Sequence, residues 1–323
     1  MTESASQRRH IHFPPIPNGI DYLRDVIDRL AYESGQPSER DLKYAVLHLQ
    51  AAAEVLLKAR LHEEHWSLII AKADSTNRKK FEAGDFDSAS NAESIRRLVH
   101  VVGLEISDED KTTLFDLAKT RNKLQHWGLT EEVNAVLKRA AKALDFLIRF
   151  LDQYLLPNID AEAKEAVADD LDEIRSGLTR IKSYVNSRMN RLRKSDLKGH
   201  EEATIRCPDC QQFALIVDGA TNRCLFCPRI WEDPLELAST YENAFDYFPA
   251  PGDPYEETLV DCPDCDTLTL VLEAETVAGK GAVPLCFNCA SVQDDLEGCM
   301  RCGKLYRPTD EEVICSDCFV SLG

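Results

Sequence analysis

The first 206 residues of this 323-residue chain contain no cysteine, because the first of its twelve cysteines is Cys207. Residues 1–18 contain no apolar stretch of the kind that a secretion signal needs, which argues against a secreted, disulfide-linked protein. No uninterrupted apolar run approaches the length of a membrane span. The sequence therefore predicts a soluble, cytoplasmic protein that does not enter a membrane.

Basic residues are scarce in the second half. Beyond residue 200 there are 7 Lys and Arg against 24 Asp and Glu, whereas residues 1–200 hold 31 against 32. The net charge of -18 thus belongs almost entirely to the cysteine-containing half. An acidic region gains nothing from counterion release on a phosphate backbone, so we expect the C-terminal half to contact protein rather than nucleic acid.

Helical periodicity is present throughout the first half. Ser38, Ser107 and Thr130 are candidate N-caps, and Gly103 and Pro157 are candidate terminators. The pattern predicts an extended arm over 10–17, a polar loop over 72–90, and helices over 19–33, 38–70, 94–102, 108–127 and 130–156. Five helices with short connections predict an all-α bundle.

The segment that carries candidate chemistry is T-R-N-K-L-Q-H-W-G-L-T, residues 120–130. Arg121 is a permanent cation, and His126 is the side-chain type that titrates near neutrality, so the two could bind a phosphodiester and move a proton on it. Asn122 adds a neutral donor and acceptor. Gly128 predicts the end of the helix just beyond His126.

The same spacing occurs at Arg60 and His65, within a longer helical pattern where a solvated helix face is the simpler interpretation. A surface ion-pairing Arg and a capping His would also explain Arg121 and His126. The spacing alone leaves both interpretations open.

The segment Ala51–Ile70, followed some fifty residues later by R-N-K-L-Q-H, resembles the HEPN superfamily of small helical bundles. The hallmark of that family is an Arg, usually followed by a polar residue, and a His after four to six intervening positions. Arg121, Asn122 and His126 match this motif. The resemblance covers about residues 20–156, under half of the chain.

The resemblance implies a metal-independent endoribonuclease that acts as a homodimer, with two motif helices facing each other across one cleft. It also implies a setting in bacterial stress, toxin–antitoxin or antiviral defence. His126 would be the general acid or base for attack by the ribose 2′-OH, Arg121 would stabilise the phosphorane charge, and Asn122 would orient the phosphate or the His. Some members of the family have lost catalysis and serve as binding or dimerisation modules.

Residues 160–197 are expected to form one long helix, in which the apolar spacing approaches a heptad repeat. The repeat consists of Val167, Leu171, Ile174, Leu178, Ile181, Val185 and Leu192, with Arg188 in one expected apolar place. This pattern is typical either of a homodimer seam or of a helix packed on its own bundle. The basic cluster Arg188, Arg191, Arg193, Lys194 and Lys198 either holds RNA phosphates or is a solvated helix end.

All twelve cysteines fall into six C-x-x-C pairs, a pattern typical of zinc sites in a cytosolic protein. Sequential pairing gives three four-cysteine Zn²⁺ sites, and interleaved pairing of the last two remains possible. The predicted ligand sets are Cys207, Cys210, Cys224 and Cys227; Cys262, Cys265, Cys286 and Cys289; and Cys299, Cys302, Cys315 and Cys318. Four-thiolate sites are coordinatively closed, so the zinc is expected to be structural.

Seven further histidines show no grouping with the cysteines: His10, His12, His48, His62, His65, His100 and His200. The predicted organisation is an arm over 1–18, a HEPN-like helical bundle over 19–157, a long helix over 158–200, a zinc ribbon over 201–232, an acidic and aromatic linker over 233–257, and two more β-rich zinc ribbons over 258–292 and 293–323.

Two functions fit this organisation. One is a HEPN-type homodimeric endoribonuclease that cleaves RNA without a catalytic metal, with zinc ribbons for recognition or regulation. The other is a non-catalytic adaptor, in which the bundle binds RNA or dimerises and the ribbons recruit a protein partner. An antitoxin or another protein that binds the acidic ribbons fits either function.

Overall fold

The computed structural model describes residues 11–32, 36–72, 74, 76–219, 221–245, 259–279, 281–308 and 313–321. The chain divides into two compact units, Met1–Arg188 and Met189–Gly323. The first unit is helical, as the sequence predicts, and the second contains small antiparallel sheets. Among the described residues, no helix is both long enough and apolar enough to cross a membrane.

The first unit contains eight helices within the described residues: α1 (Pro15–Leu30), α2 (Glu39–Glu64), α3 (Arg78–Glu82), α4 (Asn91–Arg97), α5 (Asp108–His126), α6 (Val133–Phe150), α7 (Ala161–Glu165) and α8 (Ala168–Leu178). A π-helical turn follows α4 at Leu98–Val102 and another follows α6 at Leu151–Leu155; short 3₁₀ turns occupy Trp66–Ile69 and Leu156–Asn158. A ninth helix, α9 (Lys182–Lys194), spans the boundary between the units.

Two of the predicted helix starts are confirmed by their caps. The Ser38 hydroxyl accepts a hydrogen bond from the Asp41 N–H at 3.1 Å, and the Ser107 hydroxyl accepts one from the Asp110 N–H at 3.1 Å. Each satisfies one of the donors that a helix start leaves free. Gly103 ends the segment after α4 with a φ of 82°, as its position predicts.

Other predicted boundaries are wrong. The arm predicted over 10–17 ends earlier, because α1 begins at Pro15, where a proline costs no hydrogen bond; residues 1–10 lie outside the described part. The predicted loop over 72–90 contains α3. Thr130 caps no helix, since α6 begins at Val133 with Glu132 at its N-cap position.

The long helix predicted over 160–197 is also wrong, because the chain breaks after Glu165 and after Leu178 to give α7, α8 and α9. The apolar residues of the proposed heptad within the first unit are buried or half-buried there. Helix α8 packs on α1, where a Cβ at Gly177 would lie 2.2 Å from Ile27 Cγ2. The apolar repeat within the first unit therefore packs against the chain's own bundle, as one of the two interpretations expects.

The second unit contains three antiparallel sheets within the described residues. Their strands are β1 (Thr204–Arg206), β2 (Phe213–Ile216), β3 (Asn222–Cys224) and β4 (Ile230–Trp231); β5 (Leu259–Asp261), β6 (Leu268–Glu275) and β7 (Ala282–Cys286); and β8 (Glu297–Gly298) and β9 (Leu305–Tyr306). Strand order follows chain order in each sheet. A short helix, α11 (Ser316–Val320), follows β9.

The first two sheets repeat one local pattern, which the sequence analysis missed. In each, the register shifts just before the first cysteine. The Cys207 N–H then donates to Gln212 O at 2.9 Å, and the Cys262 N–H donates to Thr267 O at 2.8 Å. The two sheets also contact each other, since the buried Asn222 amide donates to Phe287 O at 3.1 Å.

The segment predicted as a linker over 233–257 is partly a helix, α10 (Pro234–Ala244); residues 246–258 lie outside the described part. The buried Tyr241 of α10 packs its ring edge-on against Phe287, and its hydroxyl accepts a hydrogen bond from the Glu275 N–H at 3.1 Å. Helix α10 is therefore part of the packed core of the second unit.

Candidate functional site

Helix α5 positions the candidate catalytic residues at its C-terminal end. The N–H groups of Trp127 and Gly128 both donate to Lys123 O, at 2.9 and 2.7 Å, which closes the last turn. Gly128 has a φ of 140°, a value that side-chain-bearing residues rarely adopt. The predicted end of the helix beyond His126 is thus confirmed.

The two faces of α5 differ sharply. Its buried residues are Thr113, Leu114, Leu117 and Thr120, which lie on one side of the helix. On the opposite side, Phe115, Lys119, Asn122 and His126 recur at steps of four, three and four, and all four are exposed. Asn122 and His126 therefore lie on the solvent-facing side of the first unit.

Arg121 lies at the edge of the buried side and is half-exposed. Its side chain reaches round the helix, so that Nη1 donates to the side-chain oxygen of Asn122 at 3.0 Å. Five residues correspond to about 140° of rotation, so Arg121 and His126 leave the helix in different directions. The structure thus joins Arg121 to Asn122, while His126 stands apart, and none of the hydrogen bonds among the described residues involves its imidazole.

The turn that follows His126 is fixed by a charged network. Arg139 of α6 donates to the hydroxyl of the buried Thr120 at 2.9 Å and to Glu131 at 2.9 Å. Lys123 also donates to Glu131, at 3.2 Å. The hydrogen bond from Arg139 lowers the pKa of Glu131, so Glu131 stays ionised and holds the turn against both helices.

An apolar groove of about 680 Å³ opens beside the N-terminal half of α5. It lies between α4 and α5, with Ile95, Val99, Leu114 and Phe115 in its walls. Phe115 is 66 % exposed. Phe115, in the wall of this groove, lies on the same side of α5 as Asn122 and His126.

The second pair with the same spacing is built differently. Arg60 is buried and donates to Glu64 at 2.6 Å, whereas His65 follows the end of α2 and contacts Ser67 at 2.8 Å. The solvated helix face expected for this pair is therefore wrong for Arg60. The Arg60 side chain of α2 thus packs in the interior, whereas Arg121 is accessible to solvent.

The basic cluster predicted beyond α8 is divided by burial. Arg188 is 3 % exposed and donates to the buried Asp145 of α6 at 3.1 Å, so it is not available to a phosphate. Arg191 donates to Asp196 at 3.1 Å. Arg193, Lys194 and Lys198 are exposed, as either RNA phosphate binding or a solvated helix end requires.

The twelve cysteines form three groups of four in sequential order: Cys207, Cys210, Cys224 and Cys227; Cys262, Cys265, Cys286 and Cys289; and Cys299, Cys302, Cys315 and Cys318. Within each group the Sγ atoms all lie within 4.8 Å of one another. The sequential pairing is confirmed, and the interleaved alternative is wrong.

The spacing of the sulfur atoms fits a tetrahedral metal site. The Sγ–Sγ distances are 3.7 Å for Cys207–Cys227, 3.6 Å for Cys210–Cys224, 3.8 Å for Cys262–Cys289, 3.7 Å for Cys265–Cys286 and 3.7 Å for Cys302–Cys315. A tetrahedron with metal–sulfur bonds of about 2.3 Å has edges of about 3.8 Å. Each group is therefore positioned to bind one metal ion through four sulfur ligands.

Backbone turns help C-x-x-C pairs to present both sulfurs to one point. Gln211 (62°), Asp266 (54°), Ala290 (59°) and Gly303 (76°), each directly after the second cysteine of a pair, take a positive φ. Backbone N–H groups point at the sulfurs, as from Cys289 to Cys286 Sγ at 3.4 Å and from Cys315 to Cys299 Sγ at 3.3 Å. Such donors stabilise thiolate charge.

Two features near the motif had no role in the sequence analysis. Trp127 is 96 % exposed, and Arg139 fixes the turn beside it. A signal for Trp127 was present, because the apolar spacing of α5 ends at Leu124 and leaves the indole without a place on the buried side. The role of Arg139 depends on a contact between helices and has no local signal.

Comparisons of the chain with protein-family models, curated proteins and solved structures give no match. The function is therefore inferred from the residues and geometry of this chain.

Proposed function

We propose that this protein is a HEPN-type endoribonuclease that acts as a homodimer and needs no catalytic metal. The observation that carries the proposal is the C-terminal end of α5, which presents Asn122 and His126 on its exposed side and a half-exposed Arg121 that donates to Asn122. Residues 117–130 contain three Lys or Arg and no Asp or Glu, so this surface attracts a phosphate backbone.

The chemistry follows from what RNA itself supplies. The 2′-OH attacks the adjacent phosphorus, its proton passes to the imidazole of His126, a bond forms from O2′ to phosphorus, and the bond from phosphorus to O5′ breaks. A second imidazole, in its protonated form, gives a proton to the leaving O5′, so the products are a 2′,3′-cyclic phosphate and a 5′-OH. Arg121 stabilises the negative charge that accumulates on the phosphorane, and Asn122 orients the guanidinium.

One copy of the chain supports this mechanism only in part. It offers one His126, and the side chains of Arg121 and His126 leave α5 about 140° apart. A second α5 facing the first would supply the second imidazole and an Arg from the opposite side. The apolar groove with Phe115 adjoins this face of α5, and a second copy would bury it.

The three cysteine groups fit Zn²⁺, which takes four thiolates in tetrahedral geometry. With all four positions filled by cysteine, the ion supplies structure to the second unit. The strongly acidic sequence beyond residue 200 favours a protein partner, or regulation of the nuclease, over contact with RNA.

A second candidate is a non-catalytic adaptor that binds RNA or dimerises through the first unit. It is favoured by the lack, among the described residues, of a group that orients the His126 imidazole as general bases usually require. In this case the zinc-binding unit would recruit a protein partner.

A cleavage assay separates the two functions. Full-length protein is incubated with labelled RNA in EDTA, after metal analysis confirms that the cysteine groups keep their ions. The nuclease predicts cyclic-phosphate products and a loss of rate of about a hundred- to ten-thousand-fold for His126→Ala and for Arg121→Ala. His65→Ala, an exposed histidine from the pair with the same spacing, serves as the control and should cleave at the wild-type rate.

The His126→Ala variant also tests the composite site. When wild-type protein is mixed with an excess of His126→Ala protein and allowed to exchange subunits, most wild-type chains enter dimers that hold one imidazole. Because the shared cleft needs two imidazoles, we expect the activity of the wild-type chains to fall. Activity that stays in proportion to the amount of wild-type chain would mean that each copy acts alone. Undiminished cleavage by either single variant would leave only the adaptor.

A further inference from the structure

Trp127 is exposed to a degree that folding does not explain. Its side chain is 96 % exposed, whereas Trp231 is buried and Trp66 is half-buried in a group of aromatic rings with Phe81. Tryptophan is the side chain that gains most from burial. An indole held in water directly after His126 therefore points to a ligand.

The position of Trp127 is fixed by the backbone. Its N–H donates to Lys123 O at 2.9 Å, and the next residue, Gly128, turns the chain away with its positive φ. The network of Arg139, Thr120 and Glu131 anchors the turn on both sides. A ring on such a support binds a flat ligand with little loss of conformational freedom.

The surroundings of Trp127 identify the chemistry of that ligand. The flanking sequence supplies Arg121, Lys123 and His126, with the amides of Asn122 and Gln125, and the carboxylate of Glu131 that contacts Lys123 also binds Arg139. A protein-docking tryptophan is normally surrounded by apolar residues, but the apolar groove lies near Phe115, about 18 Å away along the helix. Cations around a bare aromatic ring are typical of sites for single-stranded nucleic acid.

We propose that Trp127 stacks on an unpaired base next to the phosphate held at Arg121 and His126, so that the substrate is single-stranded RNA. This inference rests on the function proposed above and specifies its substrate class. Bases in a duplex are already stacked on both faces and cannot reach the ring, whereas bases of loops and single strands can. The indole thereby selects strands whose bases are free.

The size of the effect is predictable. Removal of one stacking aromatic residue lowers affinity for single strands by roughly 5- to 150-fold. Phenylalanine retains a π face, while leucine retains apolar area without one. We therefore expect Trp127→Phe to bind within a few-fold of wild type, and both Trp127→Leu and Trp127→Ala to lose affinity.

The test measures binding separately from cleavage. A fluorescent single-stranded 2′-O-methyl oligonucleotide has no free 2′-OH and cannot be cut, so its affinity for the full-length protein can be measured by anisotropy. The duplex of the same sequence is measured beside it. Phe13→Ala, which removes an aromatic ring that is 58 % exposed on the same unit, is the matched control and should bind as wild type does.

Equal affinity for Trp127→Leu and Trp127→Phe would overturn the inference, as would an equal loss of affinity for single strand and duplex. A change in sedimentation of Trp127→Ala without a change in RNA affinity would also overturn it, because the ring would then belong to a protein interface. If the variants show the expected pattern of binding but the protein cuts no RNA, the nuclease proposal is wrong and the stacking proposal stands. If cleavage requires His126 but does not depend on Trp127, the stacking proposal is wrong and the nuclease proposal stands.

Discussion

Arg188 shows how a charged side chain can occupy an apolar position. Its place in the apolar repeat predicts a core residue, and its guanidinium lies in the core, 3 % exposed and 3.1 Å from the carboxylate of Asp145. The aliphatic stem packs as an apolar residue would, and the charge is compensated by the buried acid. Burial acts to lower the pKa of Arg188, but the nearby Tyr184, Asp145 and Asp152 and the hydrogen bond to Asp145 raise it, so the guanidinium stays charged.

We expect Arg188→Met to destabilise the first unit by roughly 3 kcal/mol, because the carboxylate of Asp145 stays buried after its partner is removed. The loss should fall at the lower end of the usual range, since Arg149 still contacts Asp145 at 3.4 Å. Urea denaturation followed by far-UV circular dichroism measures the change. Arg193→Met, at an exposed position of the same helix, is the control and should change stability by less than about 0.5 kcal/mol. Equal midpoints for both variants would refute a structural role for the ion pair.

The residues of the candidate site were predictable to different degrees. Arg121, Asn122 and His126 follow from spacing within one helix, whereas the hydrogen bond from Arg121 to Asn122 does not follow from spacing alone. The turn after His126 was predictable from Gly128 alone. The anchoring of that turn by Arg139 was not, because it joins residues 19 positions apart through the packing of two helices.

The helices after residue 160 show where periodicity misleads. An apolar repeat predicts which face of the chain is buried, but it does not show whether that face belongs to one continuous helix. The breaks after Glu165 and Leu178 contain no proline, and the chain between α8 and α9 turns through a bond from the Arg180 N–H to Gly177 O at 3.1 Å. By contrast, each C-x-x-C pair is local and was predictable from the sequence, whereas the choice of sequential over interleaved pairing depends on the folding of the segments between the pairs.

Gly177 tests the packing of α8 on α1. Alanine at a helical glycine normally stabilises by about 1 kcal/mol. Here the added Cβ would lie 2.2 Å from Ile27 Cγ2, a distance that forces the helices to shift. Overpacking costs about 1–3 kcal/mol, so we expect Gly177→Ala to lower the free energy of unfolding by on the order of 1 kcal/mol, measured by urea denaturation.

The sign of that change is decisive, and two further variants identify its cause. Ser176→Ala, at the exposed neighbouring position, should be neutral or slightly stabilising. Ile27→Ala removes the atom that the new Cβ would meet, so the double variant should be more stable than the sum of the two single changes predicts. Stabilisation by Gly177→Ala alone would contradict the close contact between α1 and α8.

The two units obtain their stability from different sources. The first buries a helical core, and its residues 1–188 carry 27 basic against 31 acidic side chains, a net charge of -4. The second has short strands, and residues 189–323 carry 11 basic against 25 acidic side chains, a net charge of -14. Small sheets of this kind bury little apolar area, so we expect metal ions bound at the three cysteine groups to supply much of the folding free energy.

Removal of metal should therefore unfold the second unit and spare the first. We expect metal analysis of the full chain to find about three zinc ions, one for each cysteine group. The group of Cys207 should release its ion last, because three of its four cysteines are buried, whereas Cys289 and Cys302 expose the other two groups to a chelator.

Hydrogen exchange followed by mass spectrometry should then show loss of protection in β1–β9 and retained protection in α1, α2, α5 and α6. Cys207→Ser combined with Cys210→Ser should lower the zinc content of the chain by one ion. Equal loss of protection in both units would mean that the helical bundle also depends on the metal. If metal analysis finds iron in place of zinc, a redox role of the cysteine groups replaces the structural role.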